Sequence, residues 1–217
     1  MSLINKSDFL STCQTGDILL YHTTRWYSRI IEWFSGSNYS HVAMILRDPT
    51  WLHPELKGLY ILESGAEDVE DTLSHRYVYG VQIIPLEHVL NKYEKDPSIG
   101  YLYYSAMNCP RTSLWQDTLR EVLLKVDGCR YDINIYDWLR AGLRIHIGET
   151  HRQSQFWCSA LLSYVYVQLG MLDSQTPWTL VTPRQFSSLE KETLVFTEGC
   201  SLVPERCISF AKEPMVS

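Results

Sequence analysis

Much of what would point elsewhere is missing from this chain of 217 residues. No apolar core follows Met1-Ser2-Leu3-Ile4-Asn5-Lys6, so a secretory leader is not expected. No run approaches the roughly 20 apolar residues that span a bilayer, and neither end carries a lipidation motif. These absences predict a protein made and kept in a reducing, cytoplasmic or intracellular compartment. The six cysteines (13, 109, 129, 158, 200 and 207) form no CxxC pair and no zinc-type spacing. No histidine pair has metal spacing either, so no metal and no cofactor is expected. A disulfide framework does not suit this size, and the six are read as free thiols, Cys200 and Cys207 being near enough in sequence to approach. There is no basic excess: the net charge is −6, which argues against nucleic-acid binding and against general attraction to anionic membranes. Repeats and low-complexity tracts are also lacking.

What remains is globular. Hydrophobic residues make up 45% and charged residues 20% of the chain, enough for one domain over 1–217 with a sizeable core. Apolar spacing predicts a short helix over 3–13 capped by Ser7 or Asp8, and strands over 18–21, 42–46, 59–63, 77–84, 100–106 and 201–208. Thr15-Gly16-Asp17 is a turn. Helices are expected over 25–34, 86–92, 115–126 (stopped by Gly128), 135–143 and 158–169, with a capped start at Thr182-Pro183. The acidic stretch 67–71 reads as a solvated loop. Strands gathered in the first half and helices in the second predict an α+β layer fold.

Phe156-Trp157-Cys158-Ser159-Ala160-Leu161-Leu162 sets a thiol at the start of an apolar helix. The free N–H groups and the dipole there favour a thiolate. A buried structural cysteine is the plainer alternative. Tyr39-Ser40-His41-Val42-Ala43-Met44-Ile45-Leu46 places a histidine at the mouth of an apolar strand, the side chain whose ordinary pKa suits proton exchange with a thiol. Glu63 closes the next strand. On neighbouring antiparallel strands about 4.8 Å apart, Glu63 is within reach of His41 and would set its tautomer. Taken singly, His41 is also a plain polar strand end and Glu63 a surface carboxylate. Together they predict a nucleophile, a base and an orienting acceptor.

Five segments taken in order resemble a known family. Gly16-Asp17-Ile18-Leu19-Leu20, Tyr39-Ser40-His41-Val42-Ala43-Met44-Ile45, Leu62-Glu63-Ser64, Gly128-Cys129-Arg130-Tyr131-Asp132 and Trp157-Cys158-Ser159 look like those of the circularly permuted papain-fold hydrolases. These are the permuted relatives of NlpC-type peptidases, with bacterial YiiX-like, large-DNA-virus and lecithin retinol acyltransferase-like branches. The match covers residues 16 to about 170, and the order His before Cys fits the permuted branch. The resemblance implies a permuted papain-like fold, an antiparallel sheet packed on helices, with Cys158 as nucleophile, His41 as general base and Glu63 as the third polar position. The lipid-acting branch often has a second histidine at that third position. Asp17 is implied to hold a turn next to His41. One departure is Ala160, where many YiiX-like members carry Glu.

The expected activity is therefore that of a thiol amidase or peptidase. Two other readings remain: a lipid thioesterase, phospholipase or acyltransferase, and a non-catalytic interaction module. Substrates would be peptide, amide-linked or acyl-lipid molecules. In the lipid case Trp26, Trp33 and Phe34 of segment 25–34 would make peripheral membrane contact, although a core-facing helix is the plainer reading. An oxyanion donor is expected from the Cys158 N–H, and Tyr21, Tyr39 and Trp157 are the candidate second donors or substrate contacts, Tyr21 being equally a core tyrosine. Segments 48–58, 109–118 and 144–155 are candidate lids, the last bringing His146 and His151 over the substrate. His146 and His151, like His22, His53, His75 and His88, are better read as surface residues.

Overall fold

The strands at the centre of this protein carry near-continuous apolar runs, Ile18–Tyr21 and Val42–Leu46, and not a polar alternation. Such a strand must be covered on both faces, and the computed structural model covers it so. It describes residues 2–23, 39–66, 68–126, 157–190 and 193–211. The described strands are β1 (Ser2–Asn5), β2 (Ile18–Thr23), β3 (His41–Arg47), β4 (Leu59–Ala66), β5 (Tyr79–Pro85), β6 (Gly100–Ser105), β7 (Met107–Asn108), β8 (Ser201–Leu202) and β9 (Arg206–Ser209). The α-helices are α1 (Lys6–Thr12), α2 (Leu86–Lys95), α3 (Ser113–Val126) and α4 (Trp157–Gln168). A seven-stranded sheet runs β1-β9-β6-β2-β3-β4-β5, and β7 and β8 pair separately. This is a mixed α+β architecture. The large sheet is antiparallel except for its parallel β1–β9 edge pair, which the expectation of a purely antiparallel sheet did not include.

Side-chain alternation sorts the core into two layers. Ile18, Leu20, Val42, Met44, Leu46, Leu62, Val81 and Ile83 face α3 and α4. Leu19, Tyr21, Ala43, Ile45, Ile61, Ile84, Leu102 and Tyr104 face α1 and α2. Helix α4 is apolar nearly all round, as suits a helix enclosed on every side: Leu162, Val165 and Tyr166 are fully buried. Two side chains pin it. Ser159 Oγ donates to Val181 O at 2.7 Å, and Tyr166 Oη donates to Gly16 O at 2.7 Å.

Several elements differ from expectation. Residues 2–5 are a strand, because Leu3 and Ile4 pair with Cys207 and Ile208; α1 begins after Asn5, whose side chain accepts the Asp8 N–H at 2.6 Å and is the true cap. The strand expected over 201–208 is broken into β8 and β9 around Pro204, which has no N–H for a ladder. Asp71 is not solvated: it is 1% exposed and accepts the Ile83 and Ser74 N–H groups at 2.7 Å each. After Thr182 there is one 3-10 turn, Pro183–Phe186, with Gln185 Oε1 accepting the Thr182 N–H at 2.8 Å. Segments 48–58 and 109–118 are anchored to the core, Leu52, Leu56 and Trp115 being buried in the α3–α4 layer. The expected helices over 25–34 and 135–143, Gly128 and the third candidate lid, 144–155, lie outside the described residues.

Asp17 precedes β2 and gathers the turn around it. It is 1% exposed and accepts from Gln14 N (2.7 Å), Met107 N (2.8 Å), Tyr104 Oη (2.8 Å) and Arg111 Nη2 (2.7 Å). It is not next to His41. Its carbonyl accepts the Ile45 N–H, so four residues of β3, roughly 13 Å at 3.3 Å each, separate it from the histidine. Its role is structural.

Candidate active site

His41 opens β3 opposite Tyr21 of β2, and Glu63 lies on β4. The β3–β4 register ends at Met44 opposite Leu62, whereas β4 continues against β5 as far as Ala66 opposite Tyr79. Beyond Met44 the first residues of β3 therefore leave the β4 ladder. Cys158, second residue of α4, lies at that split, near enough to the N–H groups of Val42 and Ser159 for both to favour its thiolate. Side-chain alternation alone sets Cys158 and His41 in opposite layers, and the split in the sheet is what lets them meet.

His41 Nε2 lies 2.8 Å from Glu63 Oε2. With that nitrogen engaged, Nδ1 is left for the hydrogen bond to Cys158. Glu63 is itself held from the other side, since Gln82 Nε2 donates to Glu63 Oε1 at 2.8 Å, the two residues standing opposite in the β4–β5 register. Tyr21 presses its ring against the imidazole, centroids 4.9 Å apart at 80°. Gly65 lies alongside, where an added Cβ would come within 3.5 Å of Glu63 Oε1 and 3.8 Å of His41 Cε1.

The electrostatics follow from this packing. Burial alone would raise the Cys158 thiol, but the charge and hydrogen bond of His41, with the Val42 and Ser159 N–H groups, outweigh it and hold Cys158 below its ordinary value. Burial would likewise depress His41. The thiolate, then Glu63, overcome it and hold the imidazole well above its usual range. For Glu63, burial pushes up, and His41, Gln82 and the charge of Lys92 on α2 bring the carboxyl below its usual range. The state favoured by all three is a thiolate–imidazolium pair backed by a carboxylate. The other described thiols whose values shift, Cys13, Cys109 and Cys207, are all pushed up, in each case chiefly by burial.

The structure thus brings together Cys158, His41 and Glu63, as the sequence predicted, with Tyr21 against the imidazole. Tyr39 is committed elsewhere: its hydroxyl donates to the buried Glu205 at 3.0 Å, and Glu205 also binds the Ser187 and Ser188 hydroxyls and the Ser188 N–H. This corrects its reading as an oxyanion donor. Trp157 opens α4, while its side chain lies outside the described residues. His22 stacks on Tyr101, His88 meets Asp68, and His53 and His75 are exposed. His146 and His151 lie outside the described residues. Among the described residues, no three His, Cys, Asp or Glu side chains are grouped to hold a metal, and no helix is long and apolar enough to cross a membrane.

Sequence reasoning missed Gln82 and the Val42 N–H. Gln82 carried a signal, being the one amide in the apolar strand Val81-Gln82-Ile83-Ile84, but its meaning depends on register. The Val42 N–H carried none.

No family model matches the chain, and no curated protein matches it. Among solved structures, the chain is similar to the metalloprotein yiiX from Escherichia coli O157:H7, at 18% identity and a TM-score of 0.48, over 89% of this chain and 98% of that one.

Proposed function

We propose that the protein is a cysteine-dependent hydrolase of the permuted papain-like type, acting on an amide bond in a peptide or peptide-like substrate. The observation that carries this reading is the arrangement of His41, with Nε2 at 2.8 Å from a buried carboxylate and its other nitrogen serving Cys158. A histidine held on one side by Glu63 keeps a fixed tautomer and ring angle, and a thiolate next to it is ready to attack.

In this mechanism the Cys158 thiolate adds to the substrate carbonyl carbon. The negative charge developing on oxygen is met by N–H groups at the first turn of α4, which have no partner within the helix. The His41 imidazolium gives its proton to the leaving amine, and a thioester to Cys158 remains. Neutral His41 then takes a proton from water, which attacks the thioester. The acid leaves and the thiolate–imidazolium pair is restored. Glu63 stabilises the imidazolium, and Gln82 and Tyr21 hold Glu63 and His41 in place. The chemistry requires no cofactor.

The test is to trap the acyl-enzyme. Fluorogenic peptide amides and acyl-lipid esters are offered in parallel, with acid quench and intact-mass analysis. Acylation confined to Cys158 from an amide supports the reading. Acylation from lipid esters alone moves the assignment to the lipid-acting branch. No acylation in a folded sample whose Cys158 labels no faster than its other thiols favours a non-catalytic module.

A further inference from the structure

Met107 stands opposite Leu202 and Asn108 opposite Ser201 in the β7–β8 ladder. Carried one residue beyond the ends of β7 and β8, the same register would set Cys109 against Cys200, whose charge reaches it. The Val203 N–H donates to Ala106 O at 2.8 Å, so Ala106–Val203 is a hydrogen-bonded position. By alternation Asn108–Ser201 is the next, and Cys109–Cys200 falls at a non-hydrogen-bonded one. At such positions Cα atoms lie about 4.5 Å apart and side chains approach most closely, within the ~4.4–6.8 Å that a disulfide bridges. Both cysteines are free thiols of intermediate exposure. They line the same open cleft, about 320 Å³, with Trp115 of α3 and Leu169 and Met171 after α4, so a small reagent has a route to them. Cys207, the nearer cysteine in sequence, sits instead on β9 opposite Tyr103.

We propose that Cys109 and Cys200 form a reversible cross-strand disulfide, made by exchange with a low-molecular-weight disulfide such as oxidised glutathione. The thiolate of one cysteine attacks the glutathione disulfide, forms a mixed disulfide and expels one glutathione thiolate. The second cysteine, as thiolate, attacks the protein sulfur of that mixed disulfide and expels the other. The protein pair loses two electrons and two protons, and the small disulfide gains them as two thiols. Burial pushes the Cys109 thiol up, and the nearby Cys200 adds to it while Arg111 opposes, so exchange accelerates as pH rises. The bond would close a loop from 109 to 200 that contains α3, α4 and Cys158, tying the turn around Asp17 and Arg111 to the segment that carries Glu205.

The full chain is equilibrated in glutathione buffers of increasing oxidised fraction, quenched in acid, alkylated and peptide-mapped. The expected product is a linked peptide pair containing Cys109 and Cys200, free of glutathione and reversed by dithiothreitol, with a higher unfolding temperature than the reduced protein. In Cys200→Ser, Cys109 should retain glutathione as a stable adduct, and in Cys109→Ser, Cys200 should do the same. Separate glutathione adducts on both cysteines of the unaltered chain would overturn the proposal, as would linkage of Cys200 to Cys207 or failure of both thiols to react while Cys158 does.

Discussion

Gln82 and Glu63 face each other across β4 and β5, and the Gln82 amide donates to the carboxylate oxygen that His41 does not use. Both are 1% exposed, so neither has water as a substitute partner. Gln82→Leu should strand Glu63 Oε1 and cost roughly 1–3 kcal/mol in urea unfolding. It should also lower turnover while Gln82→Glu, which sets two carboxylates together, lowers both stability and turnover further. Equal loss in the two variants would mean that the amide fills space and does not position Glu63.

The thiol of Cys158 should label with iodoacetamide at a pH where Cys13, Cys109 and Cys207 do not, because His41 lowers the first and burial raises the others. Labelling should begin as pH rises through the depressed Cys158 value and change again only as His41 loses its proton at a value above its usual one. His41→Ala removes the favourable charge and leaves burial, so the onset should move to higher pH. Mass spectrometry of each cysteine peptide against pH is the readout, and an unmoved onset would refute the pairing.

Cys158→Ala should remove turnover to background while leaving the unfolding free energy within about 1–2 kcal/mol of the parent, the scale of a small buried truncation. His41→Ala should cost about a hundredfold to ten-thousandfold in turnover. Full turnover by Cys158→Ala would assign the nucleophile elsewhere.

Acid stability should depend on Glu63. Its carboxyl is lower in the folded chain than usual, so the stability it contributes is complete above the unfolded value near ~4.3 and is lost as pH falls through the folded one. The acid limb of stability against pH should be shallower in Glu63→Gln. His41 has the opposite sign: raised in the fold, it contributes below the unfolded value near ~6.5 and that contribution is lost as pH rises through the folded one.

Asp17→Ala would leave Arg111, the Tyr104 hydroxyl and the Gln14 and Met107 N–H groups without their acceptor. We expect a loss of roughly 3–5 kcal/mol, read by denaturant titration. Labelling of Cys158 in the folded fraction should be unchanged, since Asp17 lies at the far end of β3 from His41.

The residues of the site were legible because their signals are local. A thiol at a helix start and a histidine at a strand mouth are each read from a few neighbours. What connects them was not legible. Gln82 needs the β4–β5 register, Cys109 and Cys200 need the β7–β8 register, and Asp71 looked solvated only because its neighbours are acidic. Residues 3–5 read as the start of a helix because the strand they pair with lies at the other end of the sequence.

That last pairing has a kinetic side. Strand β9 lies between β1 and β6, with Ser2 beside Arg206 and Tyr103 beside Cys207. Among the described strands β1 is hydrogen-bonded to the sheet through β9 alone, so it cannot dock there until the chain has been made past residue 209. Closing so long a loop is slow. During synthesis the edge of β6 that β9 will cover stays open, and for that interval it is exposed to pairing with a neighbouring nascent chain.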